Sequence, residues 1–275
     1  VSFNAVTAVL AIPALAAALL ALLPGYRLSA RLNVLATLLT FLAALSLFFE
    51  RPPTGPYVLV DDLNNVFIVL TTFVGFTTSA FSASYIEHEV ETGRLTPAFL
   101  RFYHAMYQVL MFAMNLALVT NNIGVMWVGI ELATLTTVLM VGIYRTHEAL
   151  EAAWKYFILG SVGIALALFG TILVYMAAEP TTGAGLNAMV WSDLVAKAAS
   201  FDPALLNLAF VFLLLGYGTK VGLFPLHAWL PDAHAEGPTP ISAVLSGLLL
   251  NVALYCCCAS RWCSRQARTR LRLGR

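Results

Sequence analysis

Three observations predict an all-α, polytopic transmembrane bundle of about eight helices in which the seventh helix is discontinuous. The chain is 60% hydrophobic and only 11% charged over 275 residues, whereas a soluble domain carries roughly a quarter charged residues. Its apolar residues gather into runs close to the length of about 20 that crosses a bilayer. These runs lack the alternation of a barrel strand, so each is read as a helix that satisfies its own backbone. The formal charge of +1 offers no argument for nucleic acid, and none is expected as a partner.

In chain order the expected spans are 5–23, 32–49, 63–85, 105–120, 122–144, 153–178, 204–224 and 240–258. The first has the length of a signal peptide. No positive residues precede it, however, and Pro13 interrupts its apolar core, so it is read as a span. Val1 stands where a methionine would start a chain, which fits an alternative start or a missing N-terminus. The third span is rich in Thr and Ser and is the weakest of the set. In the long connection before the seventh, 186–200 is read as a short surface helix, most simply a structural cover.

Lysine and arginine divide unevenly between alternate connections. Arg27, Arg31, Arg94, Arg101, Arg145 and Lys155 fall on one side, and Arg51 and Lys197 on the other. The positive-inside rule places the first set in the cytoplasm and the N-terminus outside. Glu87, Glu89 and Glu91 count for little in that rule.

Three charges lie inside spans. Glu131 is near the centre of the fifth, in WVGIELATLTTVLMVG, and Lys220 is late in the seventh. Lys155, in AAWKYFILGSVG, is close enough to a cytoplasmic end to snorkel. A central charge costs about 2.5–3.5 kcal/mol on insertion scales, so a retained one usually faces a cavity or a partner. The plainer reading of each is a structural ion pair or an interfacial anchor.

The stretch TKVGLFPLHAWLPDAH, 219–234, interrupts the apolar pattern directly after Lys220. Gly222 and Pro225 withdraw helix support there. Such breaks are tolerated at membrane depth where freed backbone groups line a polar cavity. A lysine beside that cavity stands between desolvation and the field of a carboxylate, and can take up and release a proton. His227 and His234 add groups that titrate near neutral pH. Their spacing is a poor match to a zinc pair, so no metal is expected. Loop hydrogen bonding and helix capping are their plainer roles. Asp232 and Thr239 are read as turn and capping residues near Pro231, Pro238 and Pro240. No nucleotide loop, nucleophile triad or paired-cysteine cofactor motif occurs in the spans.

KVGLFPLHAWLPDAHAEGPTPISAVLSGLLLNVALY, together with Glu131 and EAAWKYFILGSVGIALALFG, resembles the proton-pumping antiporter-like membrane subunits. That superfamily includes the large membrane subunits of respiratory complex I, the multisubunit sodium/proton antiporters and the membrane arms of group 4 hydrogenases. The wording is most similar to the component F type of hydrogenase-4 and formate hydrogenlyase. The resemblance covers roughly 5–255 and is most specific over 220–245. It implies a half-channel in which Glu131 and Lys220 form the central charged pair with Lys155 nearby. It also implies a non-catalytic subunit without a cofactor of its own, beside other membrane subunits of a hydrogenase or complex I-like assembly in a bacterial inner membrane.

Two departures accompany the resemblance. Relatives often carry a lysine or histidine in the eighth span, where this chain offers only Ser246 and Asn251. Relatives also continue into a second, inverted repeat. All four cysteines, Cys256, Cys257, Cys258 and Cys263, fall after Tyr255. So do Arg261, Arg265, Arg268, Arg270, Arg272 and Arg275, on the side where the positive-inside rule does not favour them. The cysteines lack finger spacing for a metal. The expectation is therefore that 1–255 is the N-terminal part of an antiporter-like domain and 256–275 a frameshifted or truncated tail. Two further readings stay open beside the leading one: a subunit of a cation/proton antiporter or inorganic-carbon uptake system, and a non-functional or scaffolding fragment.

Overall fold

The computed structural model describes the backbone of residues 4–23, 26–95 and 97–273. The side chains at 97–98, 100–101 and 262–273 lie outside that description, as do Val1 and Arg275. The readings of Val1, Arg101, Cys263 and the arginines from Arg265 onward therefore concern side chains outside the described part.

Among the described residues, eight helices are long and apolar enough to cross a membrane. They begin with α1 (Ala5–Leu22), α2 (Tyr26–Ser46), α3 (Asp62–Glu91), α4 (Pro97–Val119), α5 (Ile123–Val141) and α6 (His147–Thr182). A short surface helix, α7 (Trp191–Lys197), flanked by two 3-10 turns, fills the long connection. Then come α8 (Pro203–Val221) and the short, two-turn α9 (Leu230–Glu236). The eighth span is built from α10 (Thr239–Val244), a π-helical segment (Leu245–Leu249) and α11 (Leu250–Leu273).

Local chemistry explains the starting points. Asp61 and Asn64 form a reciprocal capping box at the head of α3, at 2.7 and 2.8 Å. Asn122 accepts from Gly124 and Val125 to open α5, and Thr146 accepts from Ala149 to open α6. Asp202 caps α8 with Pro203 at its first position. Because Thr146 and Gly183 set its ends, α6 extends to 36 residues, well past the expected 153–178.

The connections gather at two ends. At one, Leu59 N–H donates to Val119, Asn121 N–H to Tyr57, and Trp191 N–H to Asn121. At the other, Tyr26 OH donates to the Ala83 carbonyl at 2.6 Å, Arg27 pairs with Glu87 at 3.5 Å, and Tyr85 meets Tyr144 at 3.2 Å. This second end carries Arg94 and Arg145 as well, so the loops sort as helix alternation requires.

The packing is inverted relative to a water-soluble domain. Leu15, Leu22, Phe49 and Val162 are exposed on the bundle surface. Asn33, Asn64, Asn65, His104, Gln108 and Asn115 are fully buried. With lipid as the outer solvent, apolar side chains gain nothing by leaving the surface, and polar ones are driven inward to find partners.

Helix α8 ends at Val221, three residues short of the expected span end at 224, with Gly222 at the break that the sequence pattern places directly after Lys220. Gly222 adopts φ 76°, a left-handed conformation that suits glycine, and its N–H returns to the Gly218 and Thr219 carbonyls. The eighth span does not break at Tyr255. Helix α11 runs on, with Cys256 and Cys257 buried in the core and Cys258 exposed.

Candidate functional site

The site begins with how closely α6 and α8 approach. Gly163, Ala167 and Gly170 on α6 face Thr219, Gly216 and Leu213 on α8. A β-carbon added at Gly163 would lie 2.8 Å from Thr219 Cβ, and one at Gly216 would lie 2.5 Å from the Ala167 backbone nitrogen. Small residues spaced by three and four let two membrane helices touch along their backbones. The same stripe continues to Gly160, and there it makes room for a side chain. An added β-carbon at Gly160 would lie 2.5 Å from Lys220 Nζ.

Lys220 is 0% exposed. Its ammonium lies 5.2 Å from the centroid of the Tyr156 ring and has no hydrogen-bond partner. Tyr156 is pinned on both sides. Its ring stacks on Trp229 with centroids 4.3 Å apart, and its hydroxyl meets Thr137 at 2.7 Å. Trp229 in turn donates Nε1–H to the Thr219 carbonyl at 2.8 Å, tying the segment after the break back onto the last turn of α8. Gly160 lies about 20 Å along α6 from His147 at 1.5 Å per residue. The break beside Lys220 is therefore deep in the bundle and not at its edge.

Glu131 faces this space from the middle of α5, half-exposed, with Oε2 buried and unpartnered. Glu131 and Lys220 lie in each other's electrostatic field. Among the described residues no ion pair within 4.0 Å joins them. Each keeps a buried atom with free hydrogen-bonding capacity, the chemistry that internal water satisfies.

Lys155 is placed differently. Its Nζ contacts Asp232 Oδ2 and Glu151 Oε1, each at 2.8 Å, and all three side chains are substantially exposed. It lies about 7.5 Å along α6 from Gly160, separated from Lys220 by the Tyr156 ring. His227 sits in the turn between α8 and α9, half-buried against Phe224, with Nδ1 unpartnered. His234 lies in the last turn of α9, and its Nδ1 lies 2.5 Å from Ser242 Oγ. Burial pushes the His234 imidazole below its ordinary value. The structure thus brings Glu131 and Lys220 to one space, puts Lys155 one helical step away, and leaves the two histidines on the connecting segment.

Two readings of minor residues change. Asp232 sits in the first turn of α9 but caps nothing; it is the ion-pair partner of Lys155. Thr239 lies one position past the N-cap of α10, and its hydroxyl points to Tyr85 OH at 3.4 Å. Asn251 turns its amide back onto the Gly247 carbonyl at 2.7 Å, inside the π-helical segment, while Ser246 is exposed. The sequence reading passed over Tyr156, Trp229 and Gly160. Tyr156 and Gly160 flank Lys155 in a visible motif, and the three–four spacing of small residues was the available signal.

Fold and site together define a multi-pass membrane protein with opposite charges held in its interior beside a broken helix. A family model described as "NADH:quinone oxidoreductase/Mrp antiporter, TM" matches residues 120–265, more than half of the chain, and the protein belongs to that family. The chain is 64% identical over 248 residues to a hydrogenase-4 component F homolog of Methylacidiphilum infernorum, covering 90% of this chain and 52% of that protein. It is 33% identical over 222 residues to NADH-quinone oxidoreductase subunit N 2 of Rhizobium meliloti, covering 78% and 42%. In three dimensions it matches a chain of respiratory complex I from Thermus thermophilus with TM-score 0.71 and 27% identity, covering 91% and 52%. A chain of the archaeal membrane-bound sulfane sulfur reductase matches with TM-score 0.78 at 24% identity, covering 91% and 51%, a likeness of fold alone. The chain spans about half the length of these relatives.

Proposed function

We propose that this chain is the part of a proton-translocating membrane subunit that holds one half-channel, with Lys220 as the group that takes up and releases the proton. The assembly it serves is a hydrogenase-4, formate hydrogenlyase or complex I-like oxidoreductase. The subunit itself performs no redox step. Its similarity to the hydrogenase-4 component F homolog and to subunit N favours this assembly. Its partners are the neighbouring membrane subunits, and its place is the bacterial inner membrane with the arginine-bearing end in the cytoplasm.

One observation carries the reading. A lysine without any exposed surface and without a hydrogen-bond partner sits beside a helix break and opposite a carboxylate. It has no hydrogen-bond partner and lies in the field of Glu131, so its proton is exchangeable in response to the charge on Glu131. The stacked Tyr156 and Trp229 lie against the ammonium, and the Lys155–Asp232 pair stands nearer the arginine-bearing end along α6. In this scheme Glu131 sets the proton affinity of Lys220. Lys155, with Asp232, His227 and His234, forms the approach from that end.

The test uses the complete membrane complex, reconstituted in liposomes, with proton uptake followed during turnover. Glu131→Gln and Lys220→Ala should each cut pumping severely, while the redox reaction continues. Full pumping in both variants would leave the two charges as structural groups. A second reading, a cation/proton antiporter subunit, draws on the antiporter relatives in the family description. Sodium-dependent proton flux without any redox donor would favour it.

A further inference from the structure

The helices α2, α3 and α4 enclose a second set of buried polar groups, on the far side of α4 from the lysine site. His104, Gln108, Met111 and Asn115 recur at helical spacing and share one face of α4. Ala113 and Ala117 lie on the opposite face, where both crowd Gly129 of α5 at 3.0 Å from its would-be β-carbon. His104, Gln108 and Asn33 are each 0% exposed. Gln108 donates Nε2–H to Asn33 Oδ1 at 2.8 Å and to the Asn33 carbonyl at 3.2 Å. Thr37 extends the file, its hydroxyl reaching that same carbonyl at 3.1 Å and Ser79 Oγ at 2.6 Å.

Four side-chain atoms in this file have no partner: both ring nitrogens of His104, Gln108 Oε1 and Asn33 Nδ2. The neighbouring tyrosines do not supply one. Tyr103 OH is engaged with Ser82 at 2.7 Å, and Tyr107 OH donates to the Gly75 carbonyl at 2.7 Å. An unmade hydrogen bond on a buried group is costly, so four in one place call for a ligand. Donors and acceptors stand together here, one helical turn apart, which is the chemistry of a water site and not of a dry apolar void. Charges on the elements packed against α4 stand at helix ends or elsewhere. Arg27 and Arg31 open α2, Asp62 opens α3, and His88 and Glu87, Glu89 and Glu91 close it. Glu131 is on α5, and α1 has no titratable side chain.

We propose that His104, Gln108 and Asn33 bind internal water, and that His104 passes protons through that water as a relay separate from Lys220. A neutral imidazole donates from one nitrogen and accepts at the other. A proton taken at the free nitrogen and another released from the opposite one leave the ring neutral, with its tautomer exchanged. The step forms one N–H bond and breaks one, and water is the only other participant.

Solid-state NMR on the intact complex in bilayers, with isotopically labelled histidine, tests this without using pumping as its readout. Tyr103–His104 is the chain's one Tyr-His pair. Pairwise Tyr-His labelling narrows the ring signals of the complex, and the one that His104→Gln removes is assigned to His104. The expected result is magnetisation transfer from water to the ring nitrogens and exchange of the ring proton with deuterium within minutes, both weakened in Gln108→Leu. A ring that receives nothing from water would overturn the site. Transfer from water combined with a ring proton that persists for hours would overturn the relay.

Discussion

Lys155 and Lys220 stand about 7.5 Å apart in level along α6, yet the bundle holds them in opposite ways. Lys155 is half-exposed, clasped by Asp232 and Glu151 at 2.8 Å each. Lys220 has no exposed surface and no hydrogen-bond partner, and its one charged neighbour is beyond ion-pair distance. An exposed pair is worth about 0–1 kcal/mol. A buried ammonium without a direct partner is a standing cost, and replacing such groups by apolar residues of similar size often stabilises the protein. The difference teaches that Lys155 can be explained by its contacts, whereas Lys220 cannot. The function proposed above accounts for it, as a role that needs an ill-satisfied proton.

The largest effect should come from Lys220→Met. This variant keeps the volume and removes the charge, so pumping should fall to about a tenth or less while thermal stability stays equal or rises. A loss of stability matching the loss of pumping would make Lys220 a structural residue and erase the contrast. Next is Gly160→Ala. Its new methyl would occupy the place of Lys220 Nζ, which is the mobile tip of a flexible side chain. Pumping should drop severalfold at a stability cost of about 1 kcal/mol, measured by proton uptake and by thermal unfolding of the same preparation.

Lys155→Met should do less. It breaks an exposed cluster, so stability should change little and pumping should slow without stopping. Asp232→Asn should reproduce the slowing, because it removes the same contact from the other side. The smallest effect concerns His234. Burial lowers its folded-state value below the unfolded 6.5, so below that pH the unfolded chain binds more protons than the folded one. Stability is fully present above pH 6.5 and is lost as pH falls below it, until the folded imidazole also charges. His234→Gln should flatten this part of the melting-temperature profile and leave the profile above pH 6.5 unchanged.

The sequence carried the spans and the broken helix because both are local patterns. Apolar runs of bilayer length mark the first, and Gly222 and Pro225 next to Lys220 mark the second. The polar character of Glu131 in an apolar run was equally visible. Partnerships across the chain were not legible. Asp232 follows a proline in a short turn and reads as punctuation, since its lysine is 77 residues away. Tyr156 and Trp229 both look like ordinary membrane aromatics until the chain folds back and stacks them. The length of α6 was underestimated because its ends are set by the cap at Thr146 and by Gly183 rather than by hydropathy. His104 went unremarked as one histidine in an apolar stretch, although its spacing to Gln108 and Asn115 places all three on one helical face.

The central claim is that Glu131 and Lys220 act as one unit across a gap that no direct bond closes. A double-mutant cycle on proton pumping in the complete complex tests this most directly, with Glu131→Gln, Lys220→Met and the pair measured at matched redox turnover. The account predicts strong non-additivity, with the double variant pumping no worse than Lys220→Met alone, since the carboxylate has nothing left to act upon. Independent losses that multiply in the double variant would contradict it.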